Sequence, residues 1–336
     1  MDLCRAMGWL PAAQYRTSPR AKAAALGLFH TADYVAALQR VEKTQVATDQ
    51  DRERHGLGTL SNPVFPAMFR RPATGAGGVM LAAEMLRAQG VVHVPGGGTH
   101  HGMADRANGF CYLNDPVLAL LALRRQGFQR LAYIDIDAHH PDGVEAALGQ
   151  DGDILMISVH EENRWPFTGR LEDRGAGQVY NLPVPRGFND TEMRAVLEGL
   201  ILPQVQAFRP EVIVLQCGAD ALEEDPLARL SLSNNAHWAV VAALAAMTDR
   251  FLVLGGGGYN PWSVGRCWAG VWATLNGIAI PDRLPDAAES VLRGLTWNGG
   301  GRPLPAAHMF TTLRDAAREG PVRAEVMDII ARLMRR

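Results

Sequence analysis

The stretch YIDIDAHHPDG, residues 133–143, places Asp135, Asp137, His139, His140 and Asp142 directly behind an apolar start. An unpaired carboxylate is costly to bury, so a strand that delivers several needs something to neutralise them. Alternation along an extended chain puts Asp135, Asp137 and His139 on one face. Asp-x-His brings one carboxylate and one imidazole together, a sensible spacing for metal ligands. A second apolar run ends in Gly-Ala-Asp and offers Asp220. Asp137, His139 and Asp220 then form a three-ligand set with an open position, as a catalytic zinc site requires. The plainer reading of the stretch is a solvated turn after a strand. What weighs against it is the company the stretch keeps.

His100 and His101 follow the glycines Gly96 to Gly98. Two carboxylates, Asp135 and Asp142, are not needed by a metal at Asp137, His139 and Asp220. A His–Asp hydrogen bond fixes the imidazole tautomer and raises its basicity. Two histidines and two spare carboxylates suggest two such dyads beside the metal, which is equipment for metal-assisted hydrolysis. GGGGYN, residues 255–260, lacks the Lys-Ser/Thr of a P-loop and the spacing of a dinucleotide fingerprint. Its glycines instead let the backbone approach closely and aim Tyr259, whose phenol can donate to a developing oxyanion.

These residues must be carried by regular elements. Apolar runs at 91–96, 130–137, 153–160, 211–218 and 251–258 read as buried strands. Helical patterns lie at 19–43, 79–88, 116–126, 191–208 and 234–248, whereas the proline- and glycine-rich 59–78 reads as loop. Continuous apolar strands alternating with helices predict an α/β fold, with a mostly parallel central sheet covered by helices on both faces. No repeat or long linker divides the chain, so residues 1–336 are expected to form one domain. Every strand ends in a polar or glycine-rich turn, and sites in such sheets form at the carboxyl ends. Five strands thus converge on one edge.

The bulk properties exclude several classes. At 336 residues, 47% hydrophobic, the chain can bury a sizeable core. A net charge of -2 predicts neither nucleic acid nor an anionic membrane as partner. No apolar run is long enough to span a bilayer, and MDLCRAMGWL lacks a signal-peptide pattern. Cys4, Cys111, Cys217 and Cys267 are scattered and form no CxxC pair, so a cytoplasmic location is expected. Lysine occurs only at Lys22 and Lys43, an arginine bias that suggests a GC-rich bacterial genome.

Taken together, GGGTHHGMADRANGFCYLND (96–115), YIDIDAHHPDGVEAA (133–147), VLQCGADALEEDPLARLSLS (214–233) and LGGGGYNPWSVGRCW (254–268) resemble the histone deacetylase family. The nearest match within it is the bacterial acetoin-utilisation type of deacetylase. The resemblance runs from about residue 20 to 275 and implies an arginase/deacetylase fold. It also implies zinc-dependent hydrolysis of N-acetyl-lysine in proteins or peptides to lysine and acetate. Asp137, His139 and Asp220 fall on the family's metal ligands; the metal implied is zinc, with iron(II) the other candidate. His101 falls on the general base and acid, His100 on its electrostatic partner, with Asp142 and Asp135 behind them. Tyr259 falls on the residue that hydrogen-bonds the substrate carbonyl. Gly109, Phe110 and Trp165 match the acyl-lysine tunnel. Leu227 stands where acetylpolyamine-preferring relatives often carry an acidic gatekeeper. A potassium ion near the strand of Asp135 and Asp137, with Ser158 contributing, is implied too.

Three departures stand out. Pro141 replaces a glycine beside Asp142, and Ser61 stands where relatives often place a rim aspartate. The chain begins at what looks like the family's first helix, so the expectation is either a start lying upstream or a form without the N-terminal edge strand. Alternatives to a lysine deacetylase are an amidohydrolase of small acetylated amines such as acetylpolyamines, and a non-catalytic acyl-lysine-binding protein. His30, His55, His93, His237 and His308 read as surface or core histidines; His160 is open between rim and interior. No feature fixes the oligomeric state.

Overall fold

The apolar runs become strands because each is buried on two sides. The computed structural model describes residues 1–297 and 305–336. Six strands form one sheet: β1 (Gly90–Val94), β2 (Leu131–Asp135), β3 (Ile154–Glu161), β4 (Val179–Val184), β5 (Val212–Gln216) and β6 (Arg250–Leu254). Their order is β1-β6-β5-β2-β3-β4, and every pairing is parallel. Along β2, Leu131 and Tyr133 enter one apolar layer while Ala132 and Ile134 enter the other. Helices cover both layers, as a parallel sheet needs. The fold is the α/β architecture that the alternating runs predict.

Three elements differ from expectation. Residues 59–78 are not loop throughout, since a helix spans Arg70–Met85. Pro72 lies in its first turn, where its missing N–H costs nothing. The glycines serve contact rather than flexibility: a Cβ on Gly77 would stand 2.0 Å from the Pro19 carbonyl oxygen, and one on Gly75 would stand 2.8 Å from that of Gly96. β4 carries Asn181 and Pro183, so its sequence does not look like a strand. Proline is tolerated there because β4 lies at the sheet edge. The expected helix 191–208 widens to a π-helical turn at Leu197–Ile201.

The C-terminal segment folds back onto this body. Arg266, wholly buried, places Nη1 2.6 Å from Asp315 Oδ1 and donates through Nε to the Thr312 carbonyl. Arg323 reaches the buried Glu192 with Nε 2.6 Å from Oε1. Among the described residues no helix is long and apolar enough to cross a membrane.

Candidate active site at the carboxyl edge of the sheet

β2 ends at Asp135, and the chain beyond it is held by its own carboxylates. Asp135 Oδ1 accepts the Asp137 N–H at 3.0 Å, and Asp137 Oδ1 accepts the His139 N–H at 2.9 Å. This ladder, rather than a continued strand, keeps the three side chains in series. Asp220 follows β5 in a short 3-10 turn, and its Oδ1 accepts the Ala138 N–H at 3.0 Å.

Asp137, His139 and Asp220 are all buried, with one ligand atom of each within 4.8 Å of the others. His139 Nδ1 lies 3.0 Å from Asp220 Oδ2 and 3.2 Å from Asp137 Oδ1. Asp137 Oδ2 is held by Gln216 Nε2 at 2.9 Å and by the Gly257 N–H at 2.8 Å. Two glycines wall the cluster: a Cβ on Gly218 or on Gly257 would come within 2.0 Å of an Asp137 or Asp220 carboxylate oxygen.

The electrostatics ask for a cation. Burial pulls the His139 imidazolium down, yet Asp220 and Asp137 outweigh it and raise the group to about 11. Burial and the Asp137 charge raise Asp220. Asp137 and Asp220 thus share the His139 imidazolium, and Asp137 also faces His100 at 3.8 Å. Two carboxylate oxygens and a histidine Nδ1, with glycine backbone leaving room between them, fit a divalent metal.

His100 and His101 stand beside this cluster. The turn that carries them is anchored by Asp115, which accepts the N–H of Gly98 at 2.7 Å and of Thr99 at 2.9 Å. His100 Nδ1 lies 2.9 Å from Asp135 Oδ2, and His101 Nδ1 lies 2.6 Å from Asp142 Oδ1. Burial opposes charge on His100, but Asp135 and Asp137 prevail and raise it to about 9. Burial and the neighbouring His100 cation lower His101 to about 3. Near neutral pH the charge therefore sits on His100, and His101 is a neutral imidazole. Pro141, at φ -78, sits comfortably before the helix that begins at Asp142 and leaves the His101–Asp142 contact in place.

Tyr259 follows β6 and is partly buried. Burial, then the Asp220 and Asp137 charges, raise its hydroxyl far above the ordinary phenol range, so it stays a donor. Trp165, after β3, sets its ring edge-on to His101 at 4.6 Å between centroids. Gly109 is required there: at φ +50 its absent Cβ would stand 2.0 Å from Trp165 Cη2. Phe110 is half-exposed with its ring 6.1 Å from that of Tyr259, and Leu227 is exposed at 37%. The structure thus brings the dyads, the metal-ligand set, Tyr259 and Trp165 into one site, with Phe110 and Leu227 reaching solvent.

His160 is interior, its Nδ1 2.8 Å from Ser158 Oγ and its Nε2 3.0 Å from the Gly169 carbonyl oxygen. Sequence reasoning missed Gln216, Asn108, Tyr133 and Asp225. Asn108 donates to Asp142 Oδ2 at 2.9 Å, and the Tyr133 hydroxyl donates to Asp135 Oδ2 at 2.5 Å. Strand alternation pointed to Tyr133, two residues from Asp135 on the same face. The bonds that tie Asn108, Gln216 and Asp225 to the site reach distant segments and leave no pattern in the chain.

Comparison with known proteins gives a concordant picture. A family model described as histone deacetylase domain matches residues 1–275. Acetoin utilization protein AcuC of Bacillus subtilis (strain 168) is 32% identical over 274 residues, covering 77% of this chain and 70% of that protein. A putative histone deacetylase 2 of Caenorhabditis elegans is 36% identical over 278 residues, covering 80% of this chain but 54% of that one. The crystal structure of an HDAC homolog from Aquifex aeolicus superposes with a TM-score of 0.94 at 35% identity, covering 99% of this chain and 91% of that one.

Proposed function

The chain belongs to the histone deacetylase family and is a deacetylase, and on that footing we propose that it hydrolyses N-acetyl-lysine in proteins or peptides with zinc as its metal. The observation that carries this reading is the meeting of the Asp137–His139–Asp220 cluster with two His–Asp dyads and Tyr259 at one edge of the sheet. Residues 1–336 act as one domain in this reading.

Asp137, His139 and Asp220 hold the metal, which when bound supplies Lewis-acid polarisation of the amide carbonyl. Tyr259 donates its hydroxyl proton in a hydrogen bond to the carbonyl oxygen, where negative charge grows. His101, neutral at Nε2, takes the proton of the attacking water and later returns it to the leaving lysine amine. Asp142 keeps its Nδ1 protonated and the ring oriented. His100, charged against Asp135, lends positive potential without leaving its place. Gly109, Phe110 and Trp165 receive the aliphatic lysine stem. Leu227 presents an uncharged rim, which favours acetyl-lysine over a cationic polyamine. Potassium beside Asp135 and Ser158 belongs to the same reading and rests on the family resemblance.

The test is acetate release by zinc-loaded protein from an acetyl-lysine peptide and from an acetylated polyamine, with Tyr259→Phe as control. The reading expects faster turnover of the peptide, cut to a small but measurable residual rate in the variant. Faster turnover of the polyamine would assign the site to small acetylated amines instead.

A further inference from the structure

Tyr259 is preceded by four glycines, of which Gly256 and Gly258 lie at φ +142 and +151. Backbone of that kind needs outside ties: Asp137 holds the Gly257 N–H within the run, and the end that carries Tyr259 needs its own. At that end the tie is Asp225, which is 3% exposed. Asp225 Oδ2 accepts the Tyr259 N–H at 2.6 Å and the Asn260 N–H at 3.3 Å. Its Oδ1 accepts the N–H of Leu227 at 2.9 Å. A second tie joins the same loops, since Asn260 Nδ2 donates to the Glu224 carbonyl at 3.2 Å.

We infer that Asp225 is a positioning residue for the reaction, its two oxygens setting the backbone of Tyr259 and of the rim residue Leu227 together. The inference rests on the deacetylase reading of the site. Its chemistry is specific: N–H groups from two loops converge on one side chain, and a carboxylate accepts at both oxygens while presenting no donor. Burying that charge is costly, and among the described residues Asp225 has no ion pair to offset it. The bonds instead go to two residues of the site and to Asn260, which caps the helix Pro261–Leu275 through the N–H groups of Trp262 and Ser263. Asp225 therefore acts on the reaction through where it holds the phenol.

A double-mutant cycle separates this from a general effect on folding. Asp225→Ala and Asp225→Glu are each measured in the wild-type and Tyr259→Phe backgrounds, reading kcat and KM on an acetyl-lysine peptide and zinc content on each protein. Asp225→Glu keeps the charge and moves it by a methylene, so it carries the test if the alanine variant fails to fold. Small misplacements of a catalytic group cost large factors, so each variant should lower kcat about tenfold where Tyr259 is present. In the Tyr259→Phe background the loss should shrink to less than about twofold, because coupled residues are not additive. Equal losses in the two backgrounds would overturn the inference and leave the deacetylase reading intact. A zinc-loaded wild type inert toward the peptide would overturn the reading, and the inference with it.

Discussion

The Nε2 atoms of His100 and His101 stand 2.9 Å apart while their Nδ1 atoms reach separate carboxylates, Asp135 and Asp142. One proton fits between facing nitrogens at that distance, so the rings cannot both be charged without repulsion. Asp135 and Asp137 place the charge on His100, and burial together with that cation leaves His101 neutral. The pair is thus divided between a fixed cation and a neutral imidazole whose Nε2 accepts the proton between them.

Asp142→Asn tests that division. Its amide NH2 would face His101 Nδ1 and move the ring proton to Nε2, the atom that must accept. By analogy with the loss seen when a catalytic triad's carboxylate is neutralised, kcat should fall ~10²- to 10⁴-fold. Zinc content should not change. Steady-state kinetics and metal analysis on one preparation check both.

Zinc should also stabilise the fold, because it relieves the mutual repulsion of buried Asp137 and Asp220. A ligand at a thousand times its Kd contributes about 4 kcal/mol. Thermal unfolding should shift upward with zinc, and Asp220→Asn should show most of that shift gone.

Gly109→Ala should damage the tunnel. The new methyl would overlap Trp165, and the backbone at φ +50 disfavours any side chain. Displacing the indole should raise KM for an acetyl-lysine peptide and lower stability by about 1–3 kcal/mol. Calorimetry and peptide kinetics report the two effects separately.

His30 supplies a pH dependence remote from the metal. Its buried Nε2 accepts the Asn114 N–H at 3.0 Å, and Asn114 Nδ2 in turn donates to the His100 and Gly102 carbonyls. Burial lowers the His30 pKa from 6.5 to about 4. The folded state then binds fewer protons than the unfolded chain between those values, so stability is full above pH 6.5 and falls as pH drops toward 4. The lost contribution is roughly 3 kcal/mol. His30→Gln, which keeps an acceptor that does not titrate, should flatten the melting-temperature profile across that window.

Much of this arrangement was legible in the chain because its physics is local. Strands β1, β2, β3, β5 and β6 announce themselves as continuous apolar runs, and their polar ends fall on the site by the rule for parallel sheets. The pairing of two histidines with two spare carboxylates followed from counting ligands. β4 was hidden by Asn181 and Pro183, and the first half of the helix Arg70–Met85, before residue 79, by glycines that serve packing against Pro19 and Gly96. Asp225 and Gln216 were hidden for another reason: beside a local bond two residues on, each reaches a distant segment, Tyr259 for Asp225 and Asp137 for Gln216, a relation that exists only once the chain is folded.

The central claim is tested most directly by titrating zinc into chelator-stripped protein while following acetate release from an acetyl-lysine peptide. The account predicts no release at the start, a rise in proportion to bound zinc, and a plateau at about one ion per chain, as a single three-ligand site requires. Undiminished release from metal-free protein, or none with the site filled, would contradict it.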